Sequence, residues 1–512
     1  MMGNKDSQNA NSRIAKNTIL LYIRMILLML ISLYTSRVIL STLGIEDYGL
    51  YNVVGGIVTM FTFLSSAMGN SSQRFITYAL GKGDADELKR VFNTTCLVHW
   101  VIAIIILFLS ETVGLWFLYN KMVIPVERFS AAVWVYQFSI ISCVVSVISI
   151  PYNALVIAHE KMGAFSFISI LYAIVKLGIV FIVQASSSDK LILYAALLLI
   201  AQIAERLVYQ FYCRSRFFEA KHISFRNCNQ TKEMLGFAGW SLLPNLATVC
   251  YSQGINIILN LFFGPAVNAA RGVSVQVQGI VKNFVTNFQT AVTPQIIKSY
   301  ASNDVDRLNK LVFNSSKLSF YLLLCIALPV FIEAEYLLDI WLKDVPEHTV
   351  SFLRLILLAI LLDPLANPLC VANNATGDIK KFKMWEAGIC VSVIPIGYIL
   401  LKLGLRPESV FVAQIILSGI VQFARVALSR GFLHFTFKTY LKNVIYYVIG
   451  VILIAPITPL LLYHFLPKGF GSFLLVSAVC VLSVVVCSYF IGFNASERET
   501  IRYKVSNFLM RR

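Results

Sequence analysis

Fourteen predominantly apolar stretches of about 20 residues run along this chain, the length a helix needs to cross a bilayer's hydrocarbon core. They fall at 17–41, 48–68, 93–118, 129–157, 164–184, 190–211, 237–263, 266–292, 313–333, 350–372, 385–403, 409–429, 442–465 and 471–493 (spans 1 to 14). Hydrophobic residues make up 58% of the 512 and charged residues 13%. No soluble domain could hide that much apolar surface from water, and disordered, collagenous and coiled-coil chains have quite different compositions. The expected fold is therefore all-α and polytopic. The joining loops are short, the longest lying around Cys213–Gly236, so none can hold a soluble catalytic domain. Residues 1–16 are polar and the first apolar run is already span-length, which argues against a cleaved signal peptide.

The formal net charge is +17, from 43 Lys and Arg against 26 Asp and Glu. A basic chain raises the question of nucleic acid, yet the cations follow membrane topology instead. With both termini on one side, the loops of that side and the span ends bordering them hold 27 cations, and the opposite loops and span ends 7. Cation-rich loops stay cytoplasmic, so both termini are expected there. Most of the net charge thus orients the protein against anionic lipid, and no nucleic acid partner is expected. The opposite loops run acidic, with Glu333, Glu335, Asp339, Asp344 and Glu347. Ten cysteines are scattered, mostly within spans, without a C-x-x-C pair. They read as small buried hydrophobes, so no metal or cofactor is expected.

The two halves match weakly at an offset of about 220 residues. Gly44 after span 1 corresponds to Gly264 after span 7, and the loop Gly83–Thr95 resembles Asn303–Ser316, pairing Asp84 with Asp304. Six spans separate the copies, so both keep the same orientation. Two pseudo-symmetric six-helix lobes around a central cleft are expected, plus two C-terminal helices. The expected organisation is a cytoplasmic N-terminal tail (1–16), an N-lobe (17–212), a cytoplasmic linker (213–236), a C-lobe (237–430), spans 13 and 14 (441–493) and a basic cytoplasmic tail (494–512).

A charge inside a span costs about 2.5–3.5 kcal/mol on insertion scales, so in-span cations should face water or a partner. Span 8 makes the case best: Gln278, Lys282 and Gln289 lie within about 20° of Arg271 on a helical wheel, with Asn268 and Ser274 flanking them. In span 7, Asn245, Ser252 and Asn256 share a face. Such residues offer donors and acceptors suited to sugar hydroxyls, though helix–helix hydrogen bonds use the same types. Span 1 carries Arg24, span 5 Lys176, and span 12 aligns Gln414 with Arg425. In span 6 the neighbours Glu205 and Arg206 suit either an interfacial pair or a functional one. Asp363 is the clear deep carboxylate, within LLDPLANPL, where Pro364 and Pro368 interrupt the helix and free carbonyls. It suits a proton or cation site, or the partner of a neighbouring Arg. The in-span charge is mainly positive, which implies an anionic, hydrogen-bonding substrate.

With LGIEDYGLYNVVGGIV (Leu43–Val58), FAGWSLLPNLA, NLFFGPAVNAARG, AVTPQIIKSY and NNATGDIKKF (Asn373–Phe382), the chain resembles the bacterial polysaccharide repeat-unit flippases (Wzx-type exporters) of the multidrug/oligosaccharidyl-lipid/polysaccharide exporter superfamily. The resemblance covers essentially the whole chain. It implies movement of an undecaprenyl-pyrophosphate-linked oligosaccharide from the cytoplasmic to the outer leaflet of the bacterial inner membrane, for a surface polysaccharide such as O-antigen or capsule. Membrane lipids and other polysaccharide-assembly proteins would be its companions. By position, Arg24, Arg271 and Lys282, with Lys176 and Arg425, become pyrophosphate candidates. Asn245, Ser252, Asn256, Asn268, Gln278, Gln289 and Gln414 become sugar contacts, and Asp363 a coupling-ion candidate. The alternative is a cation-coupled multidrug antiporter of the same superfamily. An intramembrane polymerase would need catalytic residues on longer outward loops.

Overall fold

The computed structural model describes residues 2–159, 161–221, 231–301, 304–376, 380–433, 435–499 and 502. Some helical side chains lie outside the described set, among them those of residues up to 22 and of 231–245, and the expected cleft residue Asn245 is one of these. In chain order the helices are α1 (Met2–Met60), α2 (Phe63–Lys82), α3 (Ala85–Leu109), α4 (Leu115–Asn120), α5 (Phe129–Ala158), α6 (Met162–Ala185), α7 (Lys190–Arg216), α8 (Thr231–Phe263), α9 (Pro265–Ala301) and α10 (Val305–Ile332). They continue with α11 (Ala334–Trp341), α12 (Thr349–Ile360), α13 (Asp363–Thr376), α14 (Lys380–Val391), α15 (Val393–Lys402), α16 (Glu408–Leu433), α17 (Phe437–Tyr440), α18 (Tyr446–Ile454), α19 (Ile457–Phe465) and α20 (Phe470–Cys487). No strand occurs among the described residues. A lipid-exposed backbone must satisfy its own hydrogen bonds, and the helix does so within one segment.

Each of the fourteen apolar segments falls on helix. Eleven helical stretches among the described residues are long and apolar enough to cross a membrane. Span 1 and most of span 2 run within α1, bent at Gly44 (φ 81°), span 7 contributes only the shorter apolar helix Val249–Phe263, and span 8 carries its polar stripe in α9. Aromatic side chains such as Phe211, Tyr446 and Phe465 are more than 70% exposed, as lipid-facing residues must be.

The internal repeat is visible in its turns. Gly44 and Gly264 both adopt the left-handed backbone (φ 81° and 77°) that glycine tolerates without a Cβ clash. Asp84 caps α3 by accepting from the N–H groups of Asp86 and Glu87, and Asp304 caps α10 by accepting from Arg307.

By contacts the chain divides into two units, Met1–Ala269 with Trp341–Pro346, and Ala270–Ile340 with Glu347–Arg512. In the first, Ile76, Phe92, Tyr152, Leu155 and Tyr209 form one core of α2, α3, α5 and α7. The start of the bent half of α1 packs so closely on the α8–α9 junction that a Cβ on Gly49 would lie 1.9 Å from the Pro265 carbonyl oxygen. In the second unit, Phe320, Tyr321, Leu365, Tyr440, Val451 and Val484 knit α10 and α13 to the C-terminal helices.

Candidate functional site

In the second unit, α12 stops at Ile360 and α13 restarts at Asp363. Pro364 sits in the first turn of α13, where a missing N–H is tolerated, and Asp363 places its carboxylate at that helix's positive end. The freed carbonyls are taken up by side chains. Gln289 Nε2 donates to Pro364 O at 3.4 Å, and Tyr440 OH to Leu365 O at 3.2 Å.

Around this break lies a cavity of about 390 Å³ lined by Lys282, Gln289, Asp363, Asn367, Glu386 and Arg425 among others. Lys282 Nζ donates to Asp363 Oδ2 at 2.6 Å, with the two side chains 53% and 43% exposed. The neighbouring pair, Arg425 with Glu386, is only 15% and 18% exposed. Asn367 Nδ2 donates to Gln289 Oε1 at 2.6 Å. Four sequence-derived candidates (Lys282, Gln289, Asp363 and Arg425) therefore meet in one cavity. Asp363 is ion-paired with a Lys of span 8, not with an Arg. A half-exposed ion pair within helices of this kind requires water, not lipid, beside it.

Glu386 and Asn367 did not stand out in the sequence. Glu386 sits at the edge of span 11, where a carboxylate passes as interfacial, and its pairing with Arg425 across 39 residues is a tertiary fact. The same holds for Lys317 of α10. It is 1% exposed, and its Nζ donates to both carboxylate oxygens of Glu497, at 2.7 and 2.6 Å.

The first unit holds a second cavity, of about 280 Å³, lined by Thr62, Ser142, Cys143, Tyr172, Lys176 and Gln202 among others. The repeat offset takes Lys282 to Thr62 and Asp363 to Cys143, and both counterparts line this cavity. The charged pair of one half is thus replaced by neutral groups in the other. Lys176 Nζ lies 4.3 Å from the Tyr172 ring centroid, and Tyr172 OH donates to Gln202 Oε1 at 2.7 Å. Gln202 in turn donates to Glu205 at 3.1 Å. Arg206 instead stacks over Tyr152 at 4.2 Å.

Arg24 of α1 rests over the Phe165 ring at 4.4 Å. Its Nε is buried without a hydrogen-bond acceptor, and no carboxylate among the described residues pairs with it. Arg271 is 7% exposed and Gln414 equally buried, while Gln278 is half-buried. The described span 7 side chains bond within their own helix, and Asn268 of span 8 ties α9 to α8. Ser252 bonds its own helix at Val249 O, Asn256 donates to Gln253, and fully buried Asn268 donates to Asn256 O at 2.8 Å.

The comparisons with known proteins bear on this geometry. The sequence profile described as Polysaccharide biosynthesis protein matches residues 14–300, and a MatE profile matches residues 241–399. No individually curated protein matches the chain. Among solved structures, an inward-facing multidrug resistance MATE family transporter of the MOP superfamily is 14% identical with a TM-score of 0.71, over 82% of this chain and 98% of that one. The lipid II flippase MurJ in an inward closed conformation is 13% identical with a TM-score of 0.71, over 93% and 98%. A MOP superfamily transporter from Pyrococcus furiosus is 15% identical with a TM-score of 0.61, over 82% and 96%. At these identities the likeness is one of fold, a two-lobe multi-pass transporter architecture. With the polysaccharide biosynthesis profile covering more than half of its length, the chain belongs to the polysaccharide biosynthesis protein family.

Proposed function

We propose that the protein flips a polyprenyl-pyrophosphate-linked oligosaccharide repeat unit from the cytoplasmic to the outer leaflet of the bacterial inner membrane by alternating access. The observation that carries this reading is Arg24. A guanidinium held inside a span by an aromatic ring, with a buried N–H that lacks an acceptor, is poised for an anion such as phosphate. Arg271 and Lys282 add cations on span 8, and Lys176 lies in the hydroxyl-rich cavity of the first half. Lys282 can exchange its Asp363 partner for a phosphate oxygen, because that pair is open to water and weakly held. Gln289 and Asn367 offer amides to sugar hydroxyls.

The test is complementation of a deletion strain. Arg24→Ala, Arg271→Ala and Lys282→Ala are expected to leave protein abundance intact while surface polysaccharide falls and the lipid-linked intermediate accumulates in the cytoplasmic leaflet. Lys282→Arg should retain more function. Normal surface polysaccharide in all three Ala variants would refute the reading.

A second reading, cation-coupled multidrug antiport, is favoured by the MatE match and by the two carboxylates, Asp363 and Glu386, in one cavity. It requires Asp363→Asn to eliminate cation-dependent drug efflux. Unchanged drug resistance on deletion and over-expression would remove it.

A further inference from the structure

The internal repeat places an ion-pair latch at one end of each half, and the two latches differ in one chemical respect. In the first half, Arg128 precedes α5, and its Nη1 donates to Asp189 Oδ2 at 2.6 Å. Asp189 caps α7, accepting from the backbone N–H groups of Leu191 and Ile192 at 3.1 Å. Arg128 also bonds Asp47, through Nε at 2.8 Å. Burial opposes ionisation of Asp189, but the Arg128 guanidinium and the two N–H groups together hold its carboxyl below the usual carboxylate range. The latch ties the start of the fourth span to the start of the sixth.

The repeat offset of about 220 residues takes Arg128 to His348 and Asp189 to Glu408. His348 precedes α12, Glu408 opens α16, and His348 Nδ1 lies 2.6 Å from Glu408 Oε1. The same two helix starts are tied, by imidazole and carboxylate in place of guanidinium and carboxylate. His348 holds a left-handed backbone (φ 67°), the one non-glycine residue to do so among the described residues, which marks a position fixed by its contacts. The charged groups around its ring are Glu408 on α16 and Glu347 on the preceding loop, at 3.9 Å and 92% exposed. Exposed Arg406 lies two residues before Glu408. The remaining neighbour is the Phe352 ring, stacked at 5.7 Å. Glu408 Oε2 is buried without a hydrogen-bond partner, so its carboxylate has one strong contact where that of Asp189 has several. Asp47 has no acidic counterpart, because the offset takes it to Val267.

We propose that His348 and Glu408 form a proton-operated latch on the second half, closed when the imidazole is protonated and loosened when it is neutral, while the first half carries a permanent one. Guanidinium stays charged at every physiological pH, whereas imidazole changes charge near pH 6.5. A protonated imidazole holds the carboxylate by charge as well as by hydrogen bond, a neutral one by the hydrogen bond alone. The first-half latch has the opposite window, failing only as pH falls through the carboxylate range. The cation distribution assigns both latches to the outer side, so the second half would respond to the pH of the compartment outside the cell membrane.

Hydrogen-exchange mass spectrometry on the purified full chain at about pH 5.5 and about pH 8 tests this. The first turns of α5 and α7 serve as the internal control for intrinsic exchange. In the wild type, protection of the first turns of α12 and α16 relative to that control should fall about five-fold at the higher pH, the difference between a charge-assisted and a neutral hydrogen bond. His348→Arg should remove the pH dependence, Glu408→Gln should remove it as well, and Arg128→His should install it in α5 and α7. A wild-type ratio that is equal at both pH values overturns the proposal without any variant, and so does a pH dependence that survives in His348→Arg.

Discussion

The two ion pairs of the second-unit cavity should respond very differently to loss of their carboxylates. Glu386→Gln keeps the shape of the side chain but leaves Arg425 buried without its counter-charge. Both members are less than a fifth exposed, and breaking a buried pair from one side costs about 3–5 kcal/mol. Asp363→Asn removes the partner of Lys282 from a pair that is about half exposed, so water replaces the lost contact and the cost is about 0–1 kcal/mol. Thermal unfolding of the purified protein in one detergent, with both variants measured beside the wild type, reads the contrast directly. The midpoint should drop several times further for Glu386→Gln than for Asp363→Asn. Surface-polysaccharide complementation should separate them in the other sense, with Asp363→Asn altering transport at near-normal stability. Equal midpoints for the two variants, or a larger drop for Asp363→Asn, would refute the assignment of Arg425–Glu386 as structural and of Lys282–Asp363 as the exchangeable pair.

Two other perturbations follow from the packing. Lys317→Met should destabilise the protein by about 3–5 kcal/mol because Glu497 loses its buried partner; the double variant Lys317→Met/Glu497→Gln should recover most of the loss in the same unfolding assay, and no recovery would contradict the pairing. Gly49→Ala should lower the amount of folded protein in the membrane, since its methyl group would overlap the Pro265 backbone, whereas Gly55→Ala, with open space around it, should accumulate normally.

The polar stripe of span 8 shows how far sequence periodicity reaches. That Arg271, Gln278, Lys282 and Gln289 share a face follows from helical geometry alone, because nearest neighbours on a helix are set by a fixed rise and rotation. Whether that face meets a cavity, and which partner each side chain finds, depends on helices brought together from distant parts of the chain. Lys282 and Gln289 reach the cavity around Asp363, while Asn268, which flanks the same stripe, is spent on tying α9 to α8. The amides of spans 7 and 8 are chemically alike, so residue type could not separate a lining role from a tying one.

What the amino-acid sequence determined by itself is the class of the molecule, its span positions and the internal repeat, since lipid permits few backbone solutions and glycine and aspartate mark their turns locally. Asp84 and Asp304, or Gly44 and Gly264, announce equivalent turns within a few residues of chain. Only the tertiary structure decided the pairings: Lys282 with Asp363, Arg425 with Glu386, Lys317 with Glu497, and His348 with Glu408 where the other half has Arg128 with Asp189. Each joins residues tens to nearly two hundred positions apart. The physical reason is that a charge inside an apolar protein is stabilised by whatever lies next to it in space. That neighbour is chosen by helix packing, which local sequence does not encode.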